Sequence, residues 1–262
     1  MPLFTYIYFK FPLNSDKILE LISLVYVELA HFMNTEHVKI KVWDLPTRIF
    51  HWGMVCLLAL LWWSADAGEM QWHQIFAYSL LILIGFRILW GIIGSDTARF
   101  NHFVHHPRVV LDYLKAVKTK GMSVVLGHNP IGGYMVIALI GIISLQLVTG
   151  LFATDDIFTE GPLYSYVSSD TSGLLTWLHK MNFNLILLLS AIHILAVVIH
   201  AIKGDKLVSA MFSGYKKVSK MALSSSSKSD LTFKSEWLAL ALLTVLAAVV
   251  FVYLIWPIVQ VL

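Results

Sequence analysis

Charged residues are scarce in this chain: Asp, Glu, Lys and Arg make up 13% of its 262 residues, while 58% are hydrophobic. A soluble domain of this length needs far more charge to cover its surface, which leaves an integral membrane protein as the class. The formal charge of +3, with eleven histidines counted as neutral, is too small to suggest a nucleic-acid binder. Cysteine is nearly absent. Cys56 stands alone in an apolar run, which excludes a disulfide framework, and no Cys-x-x-Cys-His occurs, which excludes covalently attached c-type haem.

Long apolar runs take the place of charge. Five stretches approach or exceed the about 20 apolar residues that cross a bilayer: residues 49–65, 74–93, 131–153, 174–202 and 237–258. The first can extend upstream, because "VWDLPTRIF" supplies Asp44 as an N-cap, Pro46 in the first turn and Trp43 at the interface. The short segment 66–72 and the loop 154–173 contain no Lys or Arg. The N-terminal segment, the loop 94–130 and the segment 203–234 hold the basic residues instead. Basic loops stay in the cytoplasm, so the N-terminus is expected there and the C-terminus outside.

The reading by region is a 1–40 extension, a 42–218 four-helix membrane domain, a Ser- and Lys-rich linker at 219–236 and a C-terminal transmembrane helix at 237–262. In the extension, "KILELISLVYVELAHF" is too short and too charged to span; it reads as an interfacial helix, unless translation begins at Met33. The fifth span reads as a plain anchor or packing helix. The expected fold is an all-α membrane protein, a four-helix bundle with a fifth helix.

Ionisable groups inside membrane helices are functional candidates by default. His51 lies near the start of the first span, His73 near the start of the second, and His179 and His193 both lie in the fourth. Fourteen residues are just under four helical turns, so His179 and His193 share a face about 21 Å apart along the axis. Because successive spans run in opposite directions, His51 falls at the depth of His193, and His73 at the depth of His179. Two facing imidazoles are a standard way to hold haem iron from both sides. Two pairs at two depths would hold two haems. Zinc wants four clustered ligands, which depth divides here into twos. The bland alternative is that each ring is a core histidine bonded to a neighbouring hydroxyl or carbonyl.

Arg87 follows His73 by fourteen residues and shares its face, which suits a haem propionate; a snorkelling arginine is the rival reading. Arg48, three residues before His51, is the second propionate candidate. His128 in "GHNPIGGYM" either lines a quinone pocket or caps the third span with Asn129. His200 shares the face of His193 without an evident partner, and His102, His105 and His106 read as a solvated cluster.

"KVWDLPTRIFHW", "WHQIFAYSLLILIGFRILWGIIGSDTARF", "GHNPIGGYM", "TGLF", "GPL" and the His-x13-His of the fourth span resemble, in that order, the bacterial cytochrome b561 and nickel–iron hydrogenase b-type cytochrome family. The resemblance covers about residues 42–218, and the opening is closer to stand-alone members than to hydrogenase subunits. It implies two non-covalent b haems on a four-helix core in a bacterial inner membrane, with the outside being the periplasm and His51, His73, His179 and His193 at the ligand positions. It also implies electron transfer in a respiratory chain between the quinone pool and a partner, a c-type cytochrome or a hydrogenase-like subunit. The chain would be an electron-transfer protein or one subunit of a quinone-linked oxidoreductase. The acidic loop 154–173 would dock a periplasmic partner through Asp155, Asp156 and Glu160. Two other classes stay open at this point: a metal transporter using the intramembrane histidines, and a haem-free membrane anchor.

Overall fold

In a computed structural model, residues 15–35, 37–121, 125–219 and 231–260 are described. In chain order the elements are α1 (Ser15–Thr35), strand β1 (His37–Lys41), α2 (Leu45–Asp66), α3 (Met70–Ile93), the short α4 (Phe100–Phe103), α5 (Pro107–Lys120), α6 (Pro130–Gly150), α7 (Ser169–Ile202), α8 (Leu207–Ser213), strand β2 (Tyr215–Ser219) and α9 (Glu236–Val250). A π-helical turn at Phe251–Ile255 joins α9 to α10 (Trp256–Val259). Among the described residues, five helices are long and apolar enough to cross a membrane: α2, α3, α6, α7 and the continuous segment Glu236–Val259. The only sheet among them is the ribbon of β1 and β2. The protein is an all-α, multi-pass membrane protein.

The chain divides into two units. One comprises residues 1–40 and 217–229, the other residues 41–216 and 230–262. In the first, α1 exposes Leu19, Leu21, Ile22, Val25 and Tyr26. Residues 1–14, which belong to the predicted extension, and most of the Ser- and Lys-rich linker lie outside the described residues.

The second unit holds all five spans, and capping sets where they begin. Asp44 accepts from the Thr47 N–H at 2.9 Å at the start of α2, and Asn129 accepts from the Gly132 N–H at 2.7 Å at the start of α6. Both bonds satisfy amide groups that a helix start leaves unpaired, and Pro46 and Pro130 occupy first-turn positions where no N–H is needed. Ser168 caps α7 through the Thr171 N–H, so the helix begins in the polar "SDTSG" ahead of its apolar run. Near the far end of the fifth span, Pro257 lacks an N–H, and its ring excludes the carbonyl four residues back. The helix widens there into the π turn.

The short 67–69 connection folds α3 antiparallel to α2. Thr232 N–H donates to Asp96 at 2.7 Å and Lys234 N–H to Ser95 Oγ at 3.1 Å, so the fifth segment starts beside the end of α3 and runs back along it. Leu246 reaches the backbone of α3 at Gly85, and Ala239 enters the core. That core is built from Phe50, Leu80, Ile84, Trp90, Ile143 and Ile186 with their neighbours. Apolar residues all round a helix make sense where lipid covers what protein does not: Leu188, Ile194 and Leu195 of α7 are all more than half exposed. Inside, α6 and α7 are joined by polar side chains. Asn182 Nδ2 donates to the Ile142 carbonyl at 2.9 Å and to Gln146 Oε1 at 2.7 Å, the kind of interhelical bond that lipid-embedded helices use for association.

Candidate functional site

The bundle has two chemically different ends. The starts of α2, α6 and α9 and the ends of α3 and α7 meet the lysine- and arginine-bearing segments; the opposite end carries the lysine-free loops. At the basic end the structure brings together His51 of α2 and His193 of α7, with ring centroids 6.5 Å apart and planes at 52°. At the acidic end it brings together His73 of α3 and His179 of α7, 6.4 Å apart at 78°.

An iron held between two imidazoles lies about 2 Å from each bonded nitrogen and about 3 Å from each ring centre, which sets the two centres about 6 Å apart. Both pairs have that spacing. The angle between the planes is free in such an arrangement, because each ring can turn about its own nitrogen–metal axis. Among the described residues no three His, Cys, Asp or Glu side chains converge, so a structural zinc cage finds no ligand set.

Hydrogen bonds select the tautomer of the acidic-end pair. His73 Nδ1 lies 3.0 Å from the Leu61 carbonyl and 3.3 Å from Ser64 Oγ. His179 Nδ1 lies 2.9 Å from the Gln146 carbonyl and 3.3 Å from Thr149 Oγ1. A carbonyl only accepts, so each Nδ1 carries the hydrogen and each Nε2 keeps a free lone pair for a metal. The donor set therefore fits haem iron. Gly150 makes room for this geometry: a Cβ there would lie 2.9 Å from His179 Cε1. Gly161 in turn packs against the Gly150 and Leu151 carbonyls, and Leu163 N–H donates to the Leu151 carbonyl at 2.8 Å. The "TGLF" and "GPL" segments are thus in contact.

At the basic end the surroundings are aromatic rather than hydrogen-bonding. His51 meets Trp52 edge-on with centroids 5.0 Å apart, and its Nδ1 is buried without a hydrogen-bond partner. Trp52 stacks on Phe212 at 4.1 Å. Arg48 donates to the Met211 and Phe212 carbonyls of α8. Arg87 is buried, donates to the Ala98 carbonyl at 3.0 Å and lies over the Phe50 and Phe100 rings. Asp44 shares its carboxylate between the α2 cap and the Trp90 indole N–H at 2.9 Å. The His128 ring sits between Trp43 and Phe103, at 4.7 and 4.6 Å, with Nδ1 buried and unpaired. Burial, followed by the charge of Arg87, pushes the His128 pKa from 6.5 down to about 3. Asn129, not His128, makes the α6 cap.

In the acidic loop, Asp155 Oδ1 accepts from the backbone N–H groups of Thr159, Ile157 and Phe158, which holds its carboxyl well below the usual carboxylate range. Oδ1 thereby folds the loop, while the exposed carboxylate keeps its negative charge. Asp156 and Glu160 are exposed. The sequence does not single out the Leu61 and Gln146 carbonyls, because carbonyls carry no residue signature; of the hydroxyls, Thr149 lies in "TGLF".

Two facing histidine pairs inside a membrane bundle have the spacing that intramembrane haem-binding helical proteins need. A family model described as prokaryotic cytochrome b561 matches residues 42–214, and the chain belongs to that family. It is a membrane b-type cytochrome of electron transfer, in a family that binds haem b. Comparison with curated proteins and with solved structures gives no match.

Proposed function

We propose that His51 and His193 hold one haem b and His73 and His179 a second, and that the chain carries electrons across the cytoplasmic membrane. The observation that carries this reading is the repeated 6.4–6.5 Å ring spacing at two depths, served by a single face of α7. Bis-imidazole haem supplies a one-electron couple with no open coordination position, which favours electron transfer over oxygen chemistry. The residues of the chain do the rest. Leu61 and Gln146 carbonyls orient the acidic-end rings, and the apolar core excludes water from the path. The remaining N–H donors of Arg87 and Arg48 pair with propionates at the basic end.

Quinone, the lipid-soluble reaction partner, meets the basic end at His128. A periplasmic c-type cytochrome or hydrogenase-like subunit docks on the acidic loop through Asp155, Asp156 and Glu160. The lysine distribution supports a cytoplasmic N-terminus and a periplasmic C-terminus. The membrane domain of residues 42–218 carries the electron path, and the fifth span, Glu236–Val259, anchors and packs against it.

A redox titration of the membrane-embedded protein, followed in the visible spectrum, tests this reading. Two one-electron b-type components that a short-chain quinol can reduce are expected. A haem-free protein that moves divalent metal into vesicles would replace this reading with the transporter. A protein whose assembly and partner activity survive replacement of all four histidines would replace it with the anchor.

A further inference from the structure

The basic end contains a chain of titratable side chains that neither histidine pair uses. His200 lies two turns beyond His193 on the same face of α7, about 10 Å along the axis. Its Nδ1 is 3.2 Å from Asp205 Oδ2, and Lys216 Nζ lies 2.8 Å from Asp205 Oδ1 and 3.0 Å from Oδ2. On the other side, Asn129 Nδ2 approaches His200 Nε2 at 3.4 Å. The bonding is self-consistent: Nδ1–H donates to the carboxylate, and Nε2 is left as the acceptor. Asn129 adjoins His128, whose Nδ1 is buried without a partner. Side-chain exposure rises from 13% at His200 to 23% at Asp205, so the chain leads from the interior toward water. Lys216 of β2 and Tyr113 of α5 are the other charged or titratable groups facing Asp205.

We propose that His200 and Asp205 form the proton relay for quinone chemistry at the basic end, with Asn129, next in the chain to His128, orienting the His200 ring. This rests on the quinone reading above. Oxidation of a quinol to a quinone breaks two O–H bonds and releases two electrons and two protons. The electrons leave one at a time toward the His51–His193 pair. The protons leave through His200 Nε2, with Asp205 stabilising the imidazolium, and reach water at Asp205; quinone reduction runs the same route in reverse. Imidazole beside a carboxylate is suited to this, since one ring nitrogen can take up a proton as the other releases one, and the carboxylate fixes its orientation. His200 acts at a distance from iron, so it is a positioning and proton-transfer group, not a ligand.

The test uses the full-length protein in lipid, comparing wild type with His200→Gln, His200→Ala and Asp205→Asn. Haem reduction is followed by stopped flow with a short-chain quinol between pH 5.5 and 8.5, in H2O and in D2O. A one-electron metal complex that carries no proton serves as a second reductant, and binding of an oxidised quinone analogue is measured from the quenching of tryptophan fluorescence. We expect quinol-driven reduction to fall by about tenfold or more in the His200 variants, with an altered pH profile and solvent isotope effect. Added imidazole restores His200→Ala. Reduction by the metal complex, haem content and quinone affinity stay unchanged. A quinol rate equal to wild type, or an equal loss with both reductants, overturns the relay while leaving the quinone reading in place. A wild-type protein that quinol does not reduce overturns both.

Discussion

At the acidic end of the bundle each ring of the histidine pair is pinned by a backbone carbonyl, Leu61 for His73 and Gln146 for His179, with a hydroxyl close by. At the basic end His51 is held against Trp52 and keeps a buried Nδ1 with no partner, while His128 and two arginines crowd the same region. The two sites share ligand chemistry and spacing but differ in what surrounds them. Hydrogen bonds from Nδ1 raise the basicity of a ligating imidazole and stabilise the more positive metal state. Nearby positive charge does the reverse. On the two-haem reading, the acidic-end couple is expected to have the lower potential.

The largest effect should come from filling the space beside His179. Gly150→Val puts a branched side chain where a Cβ alone already meets the ring at 2.9 Å. Haem affinity at the acidic end should fall by about 10–100-fold, the usual scale for displacing a ligand's support. The basic-end haem should persist, so the haem stoichiometry of the purified variant should move from two toward one.

A second test belongs to the basic end alone. The His128 ring stays neutral in the folded protein down to about pH 3, whereas in the unfolded chain it titrates near 6.5. Below pH 6.5 the unfolded chain binds a proton that the folded one does not. Stability is thus fully present above 6.5 and declines between 6.5 and about 3, by about 1.4 kcal/mol per pH unit at most. His128→Phe, which suits the slot between Trp43 and Phe103, should flatten this acid limb in thermal melts taken from pH 7 to 4.5. An unchanged limb would show that other groups set it.

Smaller effects sharpen the contrast. Ser64→Ala and Thr149→Val each remove one hydroxyl beside an acidic-end ring. Each should shift that potential on the order of 40 mV, the one-electron equivalent of about 1 kcal/mol, and leave the basic-end potential in place. Asp156→Asn with Glu160→Gln should slow reduction of a basic periplasmic partner only severalfold and weaken its salt dependence, since rim charges act mainly on encounter. Stopped-flow mixing at two ionic strengths reads this out.

Much of this arrangement was legible in the residues. The apolar runs located five spans, and the Asp44 cap and the antiparallel order of helices sorted four histidines into the pairs that the structure brings together. Element starts were less legible. The fourth apolar run opens at residue 174, whereas α7 starts at Ser169, because Ser168 capping and the Ser172 bond to the Phe152 carbonyl hold a polar turn in the helix. The β1–β2 ribbon was not visible, since its strands lie far apart in sequence and are only five residues each. Nor did composition reveal the partner of His200: Asp205 reaches it only because the chain turns back after α7.

The central claim, two haems on two histidine pairs, is tested most directly by haem quantification with a reduced-minus-oxidised spectrum on purified wild type, His193→Ala and His73→Ala. The account predicts two b haems per chain in the wild type and one in each variant, with the remaining spectrum differing between the two variants. A wild type with one haem or none, or two variants that retain the same haem, would contradict it.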